Sequence, residues 1–119
     1  MDRRRETGKR GEEAAAHYLS SRGCRILHRN WRCRMGELDI VAEDGDTIVF
    51  VEVRTRAPGS RFGTAAESVD ARKRRRLTSL AQAYLSMTGR QHAPVRFDVI
   101  ACTAQPDGGL EIEHIPNAI

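Results

Sequence analysis

The stretch from Thr47 to Val53 constrains this chain most, because Ile48, Val49, Phe50, Val51 and Val53 make it almost continuous in β-branched and aromatic residues. Such a run predicts a strand buried on both faces, since a half-exposed strand would alternate apolar with polar. A strand of that kind lies inside a sheet covered on each side by another layer. The flanking segments supply those layers. Ala15, Ala16 and Leu19 recur at helical spacing between Gly11 and Ser21, and Gly23 stands as the stop. Segments 24–32 and 37–42 read as strands, the second joined to 47–53 through Asp44-Gly45, a two-residue hairpin signal. Residues 56–64 hold Gly, Pro and Ser and read as a loop. A long helix is expected from Thr64 to about Thr88, opened by a capping box of Thr64 and Glu67 or by Ser68, with Gly89 ending it. Its apolar stripe is Val69, Leu77, Leu80, Ala81, Tyr84 and Leu85. A strand opened by Pro94 and an edge strand over 110–115 complete the order αβββαββ, an α/β sandwich around a mixed sheet.

With 119 residues the chain is expected to form one domain over 1–119, frayed over residues 1–8. No apolar run approaches the roughly 20 residues of a membrane span, and the N-terminus lacks a signal-peptide core, so a cytoplasmic protein with no membrane partner is expected. Cys24, Cys33 and Cys102 form no C-x-x-C pair and read as reduced, structural thiols. His17, His28, His92 and His114 have no ligand spacing and read as surface or incidental residues. The net charge of +4 favours a polyanionic partner, as it does in many unrelated basic proteins. Of the 20 basic residues only Lys9 and Lys73 are lysines; the arginine bias suits phosphate, and a G+C-rich genome would produce it too.

Counting outward from Asp44-Gly45 pairs Val41 with Ile48, Asp39 with Phe50 and Glu37 with Glu52. One sheet face then carries Glu37, Asp39, Val41, Ile48, Phe50, Glu52 and Arg54, with Asp39 and Glu52 as diagonal neighbours. Acids gathered this way suit Mg²⁺ or Mn²⁺, which takes oxygen ligands. The plainer alternative is that Arg54 and nearby arginines pair with them at a solvated edge. Glu12 rides the core-facing stripe of the first helix, and Lys73 stands four residues before Leu77 on that of the second. A buried Lys needs a partner; otherwise Lys73 snorkels to solvent.

These residues resemble the YraN-like family, small bacterial proteins with a restriction-endonuclease-like fold similar to archaeal Holliday-junction resolvases. The matching stretches are Gly11-Glu12, Arg29-Asn30-Trp31-Arg32, Gly36 to Ala42, Val49 to Arg56, Phe62-Gly63, Val69, Lys73, Leu77 and Arg96 to Val99. The resemblance implies the PD-(D/E)XK superfamily, with Asp39 and Glu52 as metal ligands, the Val53 carbonyl as a third and Glu12 completing the site. Glu37 is the substitute ligand if the register differs. Where the family has Glu-Val-Lys, this chain has Glu52-Val53-Arg54, and a guanidinium cannot act as a base. Lys73 matches a recurrent family lysine and could take that lysine's place; the other outcomes are a role made unnecessary by the metal, or impaired catalysis.

The expectation is a Mg²⁺- or Mn²⁺-dependent endodeoxyribonuclease acting on DNA in preference to RNA, including branched or junction DNA. Asp39, Glu52, Arg54 and Lys73 would be its catalytic set. Arg54, Arg56, Arg61, Arg72, Lys73, Arg74, Arg75 and Arg76 would hold phosphates, and cutting both strands of a symmetric junction calls for a homodimer. The alternative is a non-catalytic nucleic-acid-binding module with a degenerate nuclease site; a third is an adaptor whose arginines bind an acidic protein. Trp31 reads as a core aromatic or a contact to a base, and Asp98 as a structural hydrogen-bonding residue.

Overall fold

The computed structural model describes residues 3–56 and 70–118, with side chains from Gly8 onward. Its elements are α1 (Arg3–Ser21), β1 (Arg25–Cys33), β2 (Gly36–Asp44), β3 (Thr47–Arg56), α2 (Ala71–Met87), β4 (Val95–Ala104) and β5 (Leu110–Ile115). The five strands form one mixed sheet in chain order, β1-β2-β3-β4-β5. β3 and β4 run parallel, and the other three pairs are antiparallel. Among the described residues the order is therefore αβββαββ, as the sequence predicts. No helix among the described residues is long and apolar enough to cross a membrane.

β3 is buried on both faces because a helix covers each. On one side Ala15, Ala16 and Leu19 of α1 pack on Ile40, Ala42, Val49, Val51, Ile100 and Cys102. On the other, Leu77, Leu80, Ala81 and Tyr84 of α2 pack on Val41, Ile48, Phe50, Val99 and Ala101. Tyr84 is fully buried; its ring meets the edges of Trp31 and Phe50, and its hydroxyl lies 2.7 Å from Nδ1 of His28. Trp31 is thus a core aromatic. Gly11 lets α1 approach β3: a Cβ at that position would stand 2.5 Å from Oγ1 of Thr55.

The first helix begins earlier than the sequence predicts. α1 already runs at Arg3, so residues 3–8 are helical rather than frayed; Arg, Glu and Lys form helix readily without an apolar stripe. α2 is described from Ala71, and Asp70 is its cap: the Asp70 carboxylate accepts the Lys73 N–H at 2.9 Å. Thr64, Glu67, Ser68 and Val69, like Phe62-Gly63 and Arg61, lie outside the described residues.

The hairpin register also differs. Asp44 pairs with Thr47 and Val41 with Phe50, so the turn is Gly45-Asp46 rather than Asp44-Gly45. Gly45 holds φ +63° as the first central residue, the place of glycine in a II′ turn. The slide amounts to two residues, which changes partners and preserves faces. Continued outward, it puts Asp39 level with Glu52 and moves Glu37 away from Glu52.

Asp98, fully buried on the α1 side of β4, ties several elements together. Arg96 donates to both of its oxygens, at 2.9 and 3.1 Å, and the Asn117 N–H donates at 3.1 Å. His114 Nε2 lies 2.8 Å from Asp98, and its Nδ1 lies 3.3 Å from the Tyr18 hydroxyl of α1. His114 is therefore a structural residue, as is His28, rather than incidental. Asp98 has the expected hydrogen-bonding role.

Candidate active site in a fork of the sheet

β2 and β3 part company halfway along their length. Their last recorded pair is Ile40 with Val51, although β2 begins at Gly36 and β3 continues to Arg56. Beyond that pair β2 stays with β1, through Trp31–Leu38 to Cys33–Gly36, while β3 stays with β4 as far as Arg56–Thr103. The sheet is thus forked. Asn30 sits in β1 level with Asp39 and holds φ +54°, a left-handed conformation that Asn tolerates better than most residues. Alternation fails at the same place: Leu38 belongs to the α2-side core together with Val41. This local break swings β2 away and leaves Asp39 in the crotch of the fork.

There the Asp39 side chain takes over from the ladder. Its Oδ2 accepts the Val53 N–H at 2.9 Å, fastening one tine to the other. Burial pushes the Asp39 carboxyl up to about 7; the negative charges of Glu52, Glu12 and Glu37 add to the rise, and the Val53 hydrogen bond only partly opposes it. Glu52 follows Val51 at the base of the other tine. α2 delivers Lys73 to it, with Nζ 2.6 Å from Glu52 Oε1. Arg54 Nε lies 3.7 Å from the same oxygen. Lys73 therefore does not snorkel to solvent; its side chain is 20% exposed and Glu52 13%. The cap at Asp70 and the buried Leu77 fix the first turn of α2 so that Lys73 is aimed into the fork.

A cleft of about 330 Å³ opens above these groups, lined by Gly36, Glu37, Asp39, Glu52, Lys73, Arg76, Leu77 and Leu80. Asp39, Glu52, Lys73 and Arg54 thus come together as expected. The wider ligand set of Asp39, Glu52, Val53, Glu12 and Glu37 does not. Among the described residues no three His, Cys, Asp or Glu side chains form a ready metal cluster. Glu37 is exposed and accepts from Arg32 at 3.1 Å, and Glu12 reaches Asp39 through its field. Val53 meets Asp39 through its N–H. Two facing carboxylates under an open cleft still suit Mg²⁺ or Mn²⁺, since such ions take one or two protein carboxylates and complete their shell with water and phosphate.

Of the basic residues, Arg76 lines the cleft, while Arg72, Arg74 and Arg75 are exposed on the first turns of α2. Arg56 ends the β3 tine, half-buried. Asn30 and Arg32 were not singled out for the site from the sequence, whereas Arg76 was expected to hold phosphate. The positive φ of Asn30 had no signal beyond the residue type, and the cleft position of Arg76 follows from the phase of α2, three residues after Lys73.

The fold and site define a class: a five-stranded mixed-sheet α/β protein with a carboxylate pair and a lysine in a fork between two strands. Residues 11–102 match the model described as Uncharacterised protein family UPF0102, and the chain belongs to that family, the one its motifs resemble as YraN-like. It is 51% identical over 118 residues to a UPF0102 protein of Pelotomaculum thermopropionicum, covering 98% of each chain. It is 55% identical over 98 residues to a UPF0102 protein of Moorella thermoacetica, covering 82% of this chain and 81% of the relative. Among solved structures it is similar to Pyrococcus furiosus SfsA in complex with Ca²⁺, at 16% identity and a TM-score of 0.44, covering 94% of this chain and 63% of that one. That last likeness is too slight to carry an argument.

Proposed function

We propose that this protein is a divalent-cation-dependent endonuclease with a restriction-endonuclease-like core, hydrolysing phosphodiester bonds in DNA, branched DNA included. The observation that carries the reading is the convergence in the fork of Asp39, Glu52 and Lys73 from three separate elements, under a cleft large enough for a phosphate and its neighbours. Asp39 and Glu52 would hold Mg²⁺ or Mn²⁺, which supplies positive charge at the phosphate and acidity to water. Asp39, pinned through Oδ2 by the Val53 N–H, lines the cleft. Lys73 lines the cleft beside Glu52, where its ammonium would hydrogen-bond a phosphate oxygen in place of a lysine at position 54. Arg54 adds charge beside Glu52. Arg76 and the exposed Arg72, Arg74 and Arg75 hold flanking phosphates without reading sequence. Cleavage of both strands of a symmetric junction would need two copies of the chain.

One observation favours a second reading, a non-catalytic nucleic-acid-binding module: Glu52 already has Lys73 at 2.6 Å and Arg54 at 3.7 Å, so it is neutralised without an ion. Cleavage assays on junction and duplex DNA separate the two. The nuclease predicts strand scission with Mn²⁺ or Mg²⁺ that stops in chelator and in Asp39→Ala and Glu52→Ala, both retaining the circular dichroism of the wild type. Binding indifferent to chelator, without scission, establishes the module and overturns the enzyme. Scission that survives in the double variant belongs to a contaminant.

A further inference from the structure

The tip of the β1–β2 hairpin takes no part in the acid fork, yet it is built unlike an ordinary turn. Cys33 pairs with Gly36, so Arg34 and Met35 form a two-residue connection at the edge of the sheet. Turn tips normally carry Gly, Asn, Asp, Ser or Pro. Here Met35 is 51% exposed, and exposed Arg34 and Arg32, the latter paired through Nε with Glu37, precede it. An open hollow at the tip is lined by Arg32, Cys33, Arg34, Met35, Gly36 and Glu37, and the last acid and the glycine also line the cleft. The apolar tip, its two guanidinium groups and the carboxylate fork thus form one continuous surface.

We propose that Arg32, Arg34 and Met35 form a wedge that recognises branched DNA. The wedge deepens the nuclease reading of the fork and rests on it. Pushing an apolar side chain between stacked base pairs costs the energy of unstacking them, as in proteins that kink duplexes with Met or Leu wedges. At a branch point the stack is already broken, so Met35 enters there at the least cost. Arg34, and Arg32 beyond its Nε bond to Glu37, neutralise the phosphates that the break brings together, and they carry no sequence preference. A continuous duplex offers the arginines the same phosphates but gives Met35 no opening. The tip therefore selects shape, and its position beside the cleft brings a phosphate near the branch to the fork.

The experiment uses the full chain in EDTA with two probes: a four-way DNA junction carrying 2-aminopurine at the branch, and a continuous duplex of equal length. The wild type binds the junction more tightly and raises the 2-aminopurine fluorescence. Met35→Ser removes the rise and lowers the junction-to-duplex affinity ratio by roughly fivefold, the scale of one lost base contact. Met35→Leu restores both. Met87→Ser changes neither, since Met87 is 72% exposed at the opposite end of α2. Arg34→Ala, which keeps Met35, weakens both DNAs alike. A Met35→Ser protein with the wild-type ratio and fluorescence overturns the wedge, as does a wild type without junction preference; scission dependent on Asp39 and Glu52 would then stand by itself. A wild type that binds neither DNA at low salt overturns wedge and nuclease together.

Discussion

Replacing Asp39 with Asn tests the electrostatics of the fork directly. The fold raises this carboxyl from an ordinary 3.8 to about 7, so the folded protein holds the proton more tightly than the unfolded chain does. The sign follows. The stabilising contribution of the acid form is complete below pH 3.8, declines as the unfolded chain ionises, and is gone once the pH has passed about 7. The full gap corresponds to about 4 kcal/mol. Solvent entering the cleft screens part of it, leaving about 2–4 kcal/mol as the cost of the ionised carboxylate at pH 8. Asn removes the charge and keeps an oxygen for the Val53 N–H. Asp39→Asn should therefore melt above the wild type at pH 8, by roughly 4 °C per kcal/mol for a domain of this size. The advantage should shrink as pH falls from 7 towards 4. The assay is thermal melting of both proteins from pH 4 to 9 in EDTA, where the difference between them isolates this group. Parallel curves across that range would refute the reasoning that burial and the neighbouring acids govern Asp39. Adding Mn²⁺ at pH 8 should raise the wild-type melting point and leave the Asn variant nearly unmoved.

Three further outcomes are expected. Lys73→Met strands Glu52 beside Arg54 alone and should cost about 1–3 kcal/mol in urea denaturation, between the values for exposed and fully buried pairs; the same variant should lose DNA scission. Gly11→Ala drives a methyl to 2.5 Å from Thr55 Oγ1 and should destabilise by about 1–3 kcal/mol. In Gly11→Ala/Thr55→Ala the clash disappears and the helix gains from alanine, so a double-mutant cycle should show most of the loss recovered. Each of Arg72→Ala, Arg74→Ala and Arg75→Ala should lower the slope of log affinity for DNA against log salt by up to about one phosphate contact.

The element order was legible because its signals are local: the apolar run of β3, the stripe of α2 and the glycine stops. The face shared by Val41, Ile48 and Phe50 was legible too, since a register slip of two residues leaves faces unchanged. The register itself was not. Asp44-Gly45 and Gly45-Asp46 each make a good two-residue turn, and Val41 meets an apolar partner in either pairing. The break at Asn30 and Asp39 was hidden because alternation is assumed in counting outward, and the site lies where alternation stops. Lys73 stood out on the apolar stripe; that Glu52 receives it depends on how α2 crosses the sheet. The role of His114 was missed for a similar reason, since its partners Asp98 and Tyr18 come from β4 and α1. For α2, the cap observed is Asp70, an isolated aspartate three residues ahead of Lys73 that carries no capping-box partner to flag it.

The sheet's strand order repeats the order of the chain, and that has a kinetic meaning. β1–β2, β2–β3 and β4–β5 are each closed by a short connection, so their loop entropy is small and each ribbon can zip within microseconds. The β3–β4 pairing alone must wait for a long crossover to bring distant residues side by side. Docking of the C-terminal ribbon onto the N-terminal meander should therefore be the slow step of folding, and the Arg96–Asp44 and His114–Tyr18 contacts, both anchored on Asp98, are the latch that closes behind it.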